Sequence, residues 1–267
     1  MKIDTHAHIF LKDLNMISNA RYKPNYDASF KAYRANLEHF SFDKGVLVQP
    51  SFLGTDNEFL LNSIQNDSRI KAIVVVDEKI SLEELKKLKS RKACGVRLNL
   101  LGKDLSDFNF KSPVWLKFFE NLSLLKMQIE IQRDLDDGLI DILKEITPFD
   151  CNIVIDHLGR AGLNLKALEE LFLLKDFKIF FKISGFYRAK IENAKTAEGI
   201  RFANKIYEAL REHFPVERFV FGSDWPHTNF ERDVDFHSAF QAFSHIVVSE
   251  KEQEKILGDN ACALFDF

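Results

Sequence analysis

Apolar and β-branched residues gather into short runs along the chain. These are Lys2–Ile9, Gly45–Gln49, Ala72–Asp77, Gly95–Leu100, Gln128–Gln132, Asn152–His157, Ile179–Ser184 and Arg218–Gly222. Between them apolar residues recur at three- and four-residue spacing, as in Leu82/Leu85/Leu88, Leu139/Leu143/Ile146 and Phe202/Ile206/Leu210. That is the period of a helix with one face against a core. Strands alternating with helices pair in parallel through right-handed crossovers. Eight such units in 267 residues predict a (β/α)8 TIM barrel, an α/β fold, as a single domain over residues 1–267. An open doubly wound sheet is the rival architecture, but no Gly-rich phosphate turn follows the first strand. Pro and Gly are scattered, and no stretch reads as a linker.

Composition narrows the function classes. Lys and Arg number 37 against 40 Asp and Glu, a formal net charge of −3, so the basic excess of a nucleic-acid binder is missing. No apolar run approaches the roughly 18 residues of a membrane span. The opening residues turn polar at once, unlike a signal peptide. Cys94, Cys151 and Cys262 are far apart, which argues against a disulfide framework and a structural zinc site and sets the expectation of a reducing cytoplasm. The 26 Phe point to a core filled by large rings and do not speak to chemistry.

In a barrel of this kind the active site lies at the C-terminal ends of the strands. Side chains alternate between inside and outside along a strand. Val96, Leu98 and Leu100 suit the helix-facing side, so Arg97 and Asn99 point inward. The same logic puts Asp4, His6 and His8 on the inner face of the first strand. The sixth run ends in Asp156-His157-Leu158-Gly159-Arg160, and the last in Gly222-Ser223-Asp224-Trp225-Pro226-His227. Taken singly, each has an ordinary reading: a packing pair of imidazoles, a loop cap, a turn. Taken together, they fall on one barrel mouth, and that favours a catalytic reading. His39, His213, His237 and His245 fall within helical patterns and read as surface or packing residues.

Cationic side chains form a second constellation. Arg97 points inward, Lys103 follows the same strand, Arg160 follows Asp156-His157, and Arg188 lies just past Lys182-Ile183-Ser184-Gly185. A buried guanidinium needs a carboxylate, from the protein or from a ligand. Glu130 is one internal partner, for Arg97 or Lys182. Several arginines at one mouth favour an anionic small-molecule substrate, with neither nucleic acid nor membrane as partner.

Asp4-Thr5-His6-Ala7-His8 and Gly222-Ser223-Asp224-Trp225-Pro226-His227 resemble the amidohydrolase superfamily, and within it the 2-pyrone-4,6-dicarboxylate lactonase branch. The pattern continues in Val46–Ser51, Gly54–Asn57, Gly95–Asn99, Asp156–Arg160, Lys182–Ser184 and Asp259–Ala261, over nearly the whole chain. The resemblance implies a distorted barrel that hydrolyses a lactone ring. It implies Asp224 as the general base that activates water, with His6, His8 and His157 around the reacting carbonyl. It implies that Tyr22, Ser51, Arg97, Arg160 and Arg188 hold substrate carboxylates, and that no metal is required. Lys103 stands where the lactonase has Arg, Gln132 where it has Tyr, and Leu53 replaces a polar residue. Lys103 and Gln132 are therefore candidate substrate contacts whose chemistry differs from the family's.

Lactone hydrolysis needs an activated water and a stabilised oxyanion. Imidazoles near Asp224 supply donors where a metal would act elsewhere. A zinc or manganese ion is chemically compatible with His6, His8 and Asp224. Against it, the fifth strand, Gln128–Gln132, lacks the Lys or His that would complete ligation, so the expectation is that no cofactor is required. Two rivals remain at this point: a metal-dependent amidohydrolase or decarboxylase of the same superfamily, and a non-catalytic carboxylate-binding barrel. The oligomeric state is not legible.

Overall fold

The computed structural model describes residues 1–163 and 165–267. Its parallel strands follow one another in chain order around one sheet: β1 (Ile3–Ala7), β2 (Lys44–Val48), β3 (Ile70–Val74), β4 (Ala93–Asn99), β5 (Gln128–Gln132), β6 (Ile153–Ile155), β7 (Ile179–Ile183) and β8 (Phe219–Phe221). Helices alternate with them: α1 (Phe30–His39), α2 (Glu58–Ile64), α3 (Leu82–Ser90), α4 (Pro113–Leu124), α5 (Asp137–Ile146), α6 (Leu165–Phe172), α7 (Ala197–Arg211) and α8 (Phe236–Ile246). Two more, α9 (Glu250–Leu257) and α10 (Asp259–Phe265), complete the chain. This is the predicted (β/α)8 barrel. Strand β3 stops short of the predicted Asp77 because the Asn57 side chain takes over both backbone groups of Val75, at 3.0 and 2.8 Å. Among the described residues no helix is long and apolar enough to cross a membrane.

The alternation predicted for β4 holds around most of the barrel. Val96, Leu98, Ile129, Ile131, Ile153, Ile155, Phe181 and Ile183 pack between sheet and helices. Each such buried side chain contributes about 1.5–3 kcal/mol of transfer free energy. Arg97, Glu130, Asp156 and Lys182, of the other parity, are buried inside. Ile3, Val46, Val48, Ile73, Val154 and Val220 form a separate cluster with Ala261, Leu264 and Phe265, so α10 plugs the apolar bottom of the barrel.

Strand β1 departs from the expected alternation. Ile3 joins the interior cluster, whereas Asp4 is bonded to Tyr33 of α1 at 3.1 Å and to Ser223 Oγ at 2.7 Å. Asp4 therefore does not share the face of His6 and His8. The ladder with β2 slips between Asp4 and Ala7, with Asp4 opposite Gly45 and Ala7 opposite Leu47. One extra residue on β1 is a bulge, and a bulge inverts the alternation beyond it. Gly45 belongs to the same device, since a Cβ there would lie 2.3 Å from the Tyr33 hydroxyl.

The barrel closes above the ends of its strands. Asp224 N–H donates to His6 O and His8 N–H to Trp225 O, both at 2.7 Å, three and four residues beyond the end of β8. The backbone that shuts the cylinder is the backbone that carries the candidate chemistry.

Candidate active site

Two strand ends leave the sheet through left-handed backbone. Asp224 has φ +61°, and His157, Leu158, Gly159 and Arg160 follow one another at +55°, +50°, +68° and +47°. A non-glycine residue held there costs on the order of 1–3 kcal/mol, and such costs cluster where a side chain must be aimed. Gly185, after β7, makes room for both: a Cβ on it would stand 2.8 Å from His157 Nδ1 and 3.1 Å from Asp224 Oδ2.

The Asp224 carboxylate is fully buried and its two oxygens differ. Oδ2 accepts from Arg188 Nε at 2.6 Å and from the Tyr187 hydroxyl at 2.7 Å. Oδ1 has no hydrogen-bond partner among the described residues, and faces His6 Nε2 at 3.8 Å and the Nε2 atoms of His8 and His157 at 3.9 Å each. Burial alone would raise its pKa, but the guanidinium of Arg188 outweighs it and holds the carboxyl well below the usual range. Asp224 is ionised throughout the physiological range.

The imidazoles are neutral for the converse reason. Burial, aided by Arg97 beside His8, pushes His8 down to about 4 and His157 to about 3, and His6 lies well below its ordinary value. Their partners distinguish them. The Val48 carbonyl 2.7 Å from His8 Nδ1 only accepts, so His8 carries its proton on Nδ1 and offers a lone pair at Nε2. His6 Nδ1 stands between a donor, Lys182 Nζ at 3.0 Å, and an acceptor, Asp156 Oδ1 at 3.3 Å, while its Nε2 faces Asp224. His157 Nδ1 meets Ser184 Oγ at 2.8 Å, a partner compatible with either tautomer.

Beneath these rings the charges are paired. Lys182 Nζ lies 2.6 Å from Glu130 and 3.5 Å from Asp156, and Arg97 donates to Asp156 through Nε at 2.9 Å, with its Nη2 2.8 Å from the same oxygen. Burial raises Glu130 to about 7 against the pull of Lys182. For Asp156 burial is outweighed by Arg97, His6 and Lys182, and its pKa is depressed. Above the rings opens a cavity of about 370 Å³, within the usual range for small-molecule sites.

Of the residues singled out in the sequence, His8, Ser51, Arg97, Gln132, His157, Arg160, Arg188 and Asp224 lie in the cavity wall. Tyr22 also lines it, but its hydroxyl is donated to Glu231. His6 lies below the wall, against Asp224. Lys103 lies outside. The chain turns at Gly102 (φ +70°), and Arg133 fixes the turn by donating to the carbonyls of Leu100 and Lys103, so the Lys103 side chain is exposed. Three residues not anticipated complete the site. Tyr187 holds Asp224 and meets His227 Nδ1 at 2.9 Å, and Arg21 lines the cavity from the loop after β1.

His6, His8 and Asp224 offer ligand atoms within 4.8 Å of one another, the right kinds and spacing for a transition metal. Arg188 and Tyr187 occupy Oδ2 of Asp224 and leave Oδ1 open, and His6 Nε2 is open as well. His8 Nε2, His6 Nε2 and Asp224 Oδ1 would hold such an ion, which would supply a Lewis acid at the floor of the cavity.

A family model described as amidohydrolase matches residues 3–267. The chain is similar to a 2-pyrone-4,6-dicarboxylate hydrolase of Comamonas testosteroni, 26% identical over 98% of this chain and 89% of the relative. It is similar to a 4-sulfomuconolactone hydrolase of Rhizobium radiobacter, 27% identical with the same coverage. A solved structure from Acinetobacter baumannii, described as a probable 2-pyrone-4,6-dicarboxylic acid hydrolase with citric acid bound, superposes with a TM-score of 0.93 at 37% identity, covering 100% of this chain and 99% of that one. A Burkholderia multivorans amidohydrolase with bound zinc shares the fold, with a TM-score of 0.76 at 17% identity over 100% of this chain and 99% of that one.

Proposed function

The chain belongs to the amidohydrolase family, and from that premise we propose that it is a hydrolase that opens a carboxylate-bearing lactone. The observation that carries the reading is the unpartnered Oδ1 of an ionised Asp224, aimed at three neutral imidazoles beneath an arginine-lined cavity. Hydrolase names among the similar proteins, each acting on a lactone, support the reaction class. Citric acid in the Acinetobacter structure supports an acidic ligand.

In this reading a water donates one hydrogen to Asp224 Oδ1 and the other to the lone pair of His8 Nε2. Asp224 takes its proton as the oxygen adds to the lactone carbonyl, and the oxyanion is stabilised by a hydrogen bond from the Nε2–H of His157, which lines the cavity beside Oδ1. Collapse breaks the ring C–O bond, and Asp224 returns the proton to the departing oxygen. A carboxyl held at so low a pKa is a weak base but a strong acid, which suits an activated ester with a stable leaving oxygen, such as the enol of a pyrone. Arg188 and Tyr187 keep Oδ2 occupied, so Oδ1 is the oxygen that works. Arg97 and Arg160 bind substrate carboxylate, with Ser51, Tyr22 and Gln132 beside them.

The test is a screen of carboxylated lactones, with ring opening followed by absorbance. Turnover of at least one is expected, and failure of the whole series would defeat the proposal. This route needs no metal. Prolonged chelation should leave the rate within about two-fold, whereas removing a catalytic metal forfeits several kcal/mol of transition-state stabilisation. Activity lost on chelation and restored by zinc or manganese would move the protein to the metal-dependent class.

A further inference from the structure

The cations lining the cavity are not equivalent. Arg97 is paired with Asp156 at 2.8 Å, Arg188 with Asp224 at 2.6 Å, and Arg160 with Asp134 at 2.7 Å, an acid shared with Lys190 at 3.2 Å. Arg21 has no carboxylate within ion-pair distance among the described residues. It donates from Nη1 to the Leu101 carbonyl at 2.9 Å and from Nη2 to Gln132 Oε1 at 3.4 Å. Two of its five N–H groups are thereby used by neutral oxygens that orient the guanidinium without cancelling its charge. The side chain is exposed at the mouth of the cavity, and desolvation with the neighbouring Arg97, Arg160 and Arg188 lowers its affinity for its proton against the pull of Asp134, so the charge sits in a net positive field that an incoming anion relieves. Its anchors lie just past β4 and at the end of β5, and with the strands in sequential order β4 is diametrically across the barrel from β8 and Asp224.

We propose that Arg21, aimed by Gln132 and the Leu101 carbonyl, is the specificity residue that binds an anionic group at the end of the substrate remote from the ester being cleaved. The substrate class is then a lactone with an acidic substituent on the side away from its reacting carbonyl, recognised by the guanidinium fork that suits a carboxylate. This rests on the ester-hydrolase reading for the chemistry, but not for the binding. It also gives Gln132 a purpose: its amide oxygen orients Arg21, whereas Lys103 leaves the cavity altogether.

Two lactones that differ only in the distal carboxylate would be compared on the Arg21→Met, Arg21→Lys and Lys103→Met variants. In parallel, titration calorimetry would measure isophthalate and benzoate as inert diacid and monoacid. Arg21→Met should raise KM for the diacid lactone at least about ten-fold with kcat held within about three-fold, the size of one charge-assisted contact, and weaken isophthalate by a similar factor. The penalty on the monoacid lactone and benzoate should be at least about five-fold smaller, since they lack the partner group. Arg21→Lys should fall between, because a point charge lacks the fork. Lys103→Met should change isophthalate binding by less than about two-fold, as expected of a solvated charge. Equal losses for diacid and monoacid, no loss for either, or no isophthalate binding by the unaltered protein would overturn the proposal. If no lactone is opened, the ester-hydrolase reading fails, and the isophthalate and benzoate titrations still decide on Arg21.

Discussion

Two buried aspartates stand at the seam between β1 and β8, and they have opposite characters. Asp4 accepts from Ser223 N–H at 2.8 Å, Ser223 Oγ at 2.7 Å, His6 N–H at 3.2 Å and Tyr33 at 3.1 Å, so both its oxygens are satisfied. Among the described residues no cation pairs with it, and burial raises its pKa to about 6 against all four donors. Asp224 has fewer donors and one free oxygen, yet Arg188 holds it well below the ordinary range. A formal charge nearby outweighs several neutral donors in fixing protonation. What suits a carboxylate to chemistry is an oxygen left unsatisfied. Asp4 joins strands, and Asp224 is free to meet a substrate.

Exchanging each for its amide should separate the two roles most strongly. Asp224→Asn keeps the shape and removes the base, so kcat on any lactone that is opened should fall at least about 10²-fold. Asp4→Asn sets an NH2 group against donors, at a cost of about 2–3 kcal/mol, which lowers Tm by roughly 5–10 °C while kcat drops less than about ten-fold. Turnover assays and thermal unfolding on both variants check this, and the reverse pattern would invert the assignment.

Acidification is expected to have an intermediate effect. His8, His157 and His227 have folded pKa values of about 4, 3 and 4, below the ordinary 6.5, and His6 is depressed too. Their contribution to stability is complete above about pH 6.5 and is lost as pH falls toward 4, because the unfolded chain takes up protons that the folded one refuses. Asp4 and Glu130, raised to about 6 and about 7, run the other way and regain stability over the same interval. Four imidazoles against two carboxyls leave a net loss, of about 1.4 kcal/mol per pH unit for each proton in excess. Tm should therefore drop between pH 6.5 and 4.5, and more steeply in Asp4→Asn, where one opposing group is gone. A flat or rising Tm would contradict the neutral imidazole cluster.

The smallest contrast lies between the two tyrosines. Tyr187→Phe takes one donor from Asp224 Oδ2 and should lower kcat by about three- to ten-fold, about 1 kcal/mol of hydrogen bonding. Tyr33→Phe takes one donor of four from Asp4 and should cost about 2–4 °C in Tm, with kcat within two-fold. Steady-state kinetics and melting curves on the two variants provide the comparison.

Much of this was legible in the chain. Periodicity alone yields the strands, and parity correctly sends Arg97 and Glu130 inward because β4 and β5 are regular. It fails at Asp4, where a bulge adds a residue without a glycine to announce it. Lys103, a candidate through the resemblance, follows a turn pinned by Arg133 that carries its side chain into solvent, a path no pattern in the strand encodes. Arg21 was unreadable for a different reason. It lies in an aperiodic loop, and its anchors are 80 and 111 residues away, contacts that no local pattern encodes. Tyr187 sits beside the anticipated Arg188, and only the turn after Gly185 reveals that both reach Asp224.

The closing seam also has a consequence for biosynthesis. Asp4 and Ser223 are 219 residues apart, so at a synthesis rate of roughly 5–20 residues per second the first strand waits about 10–45 s for its last neighbour. Throughout that interval β1 has a free edge on the side that β8 will cover. An apolar edge would invite wrong pairing with other nascent chains, but β1 carries Asp4, Thr5 and His6 in its five residues, and His8 just beyond. The polar groups that later form the seam and the site thus keep the unfinished barrel from joining another chain while its own final strand is still being made.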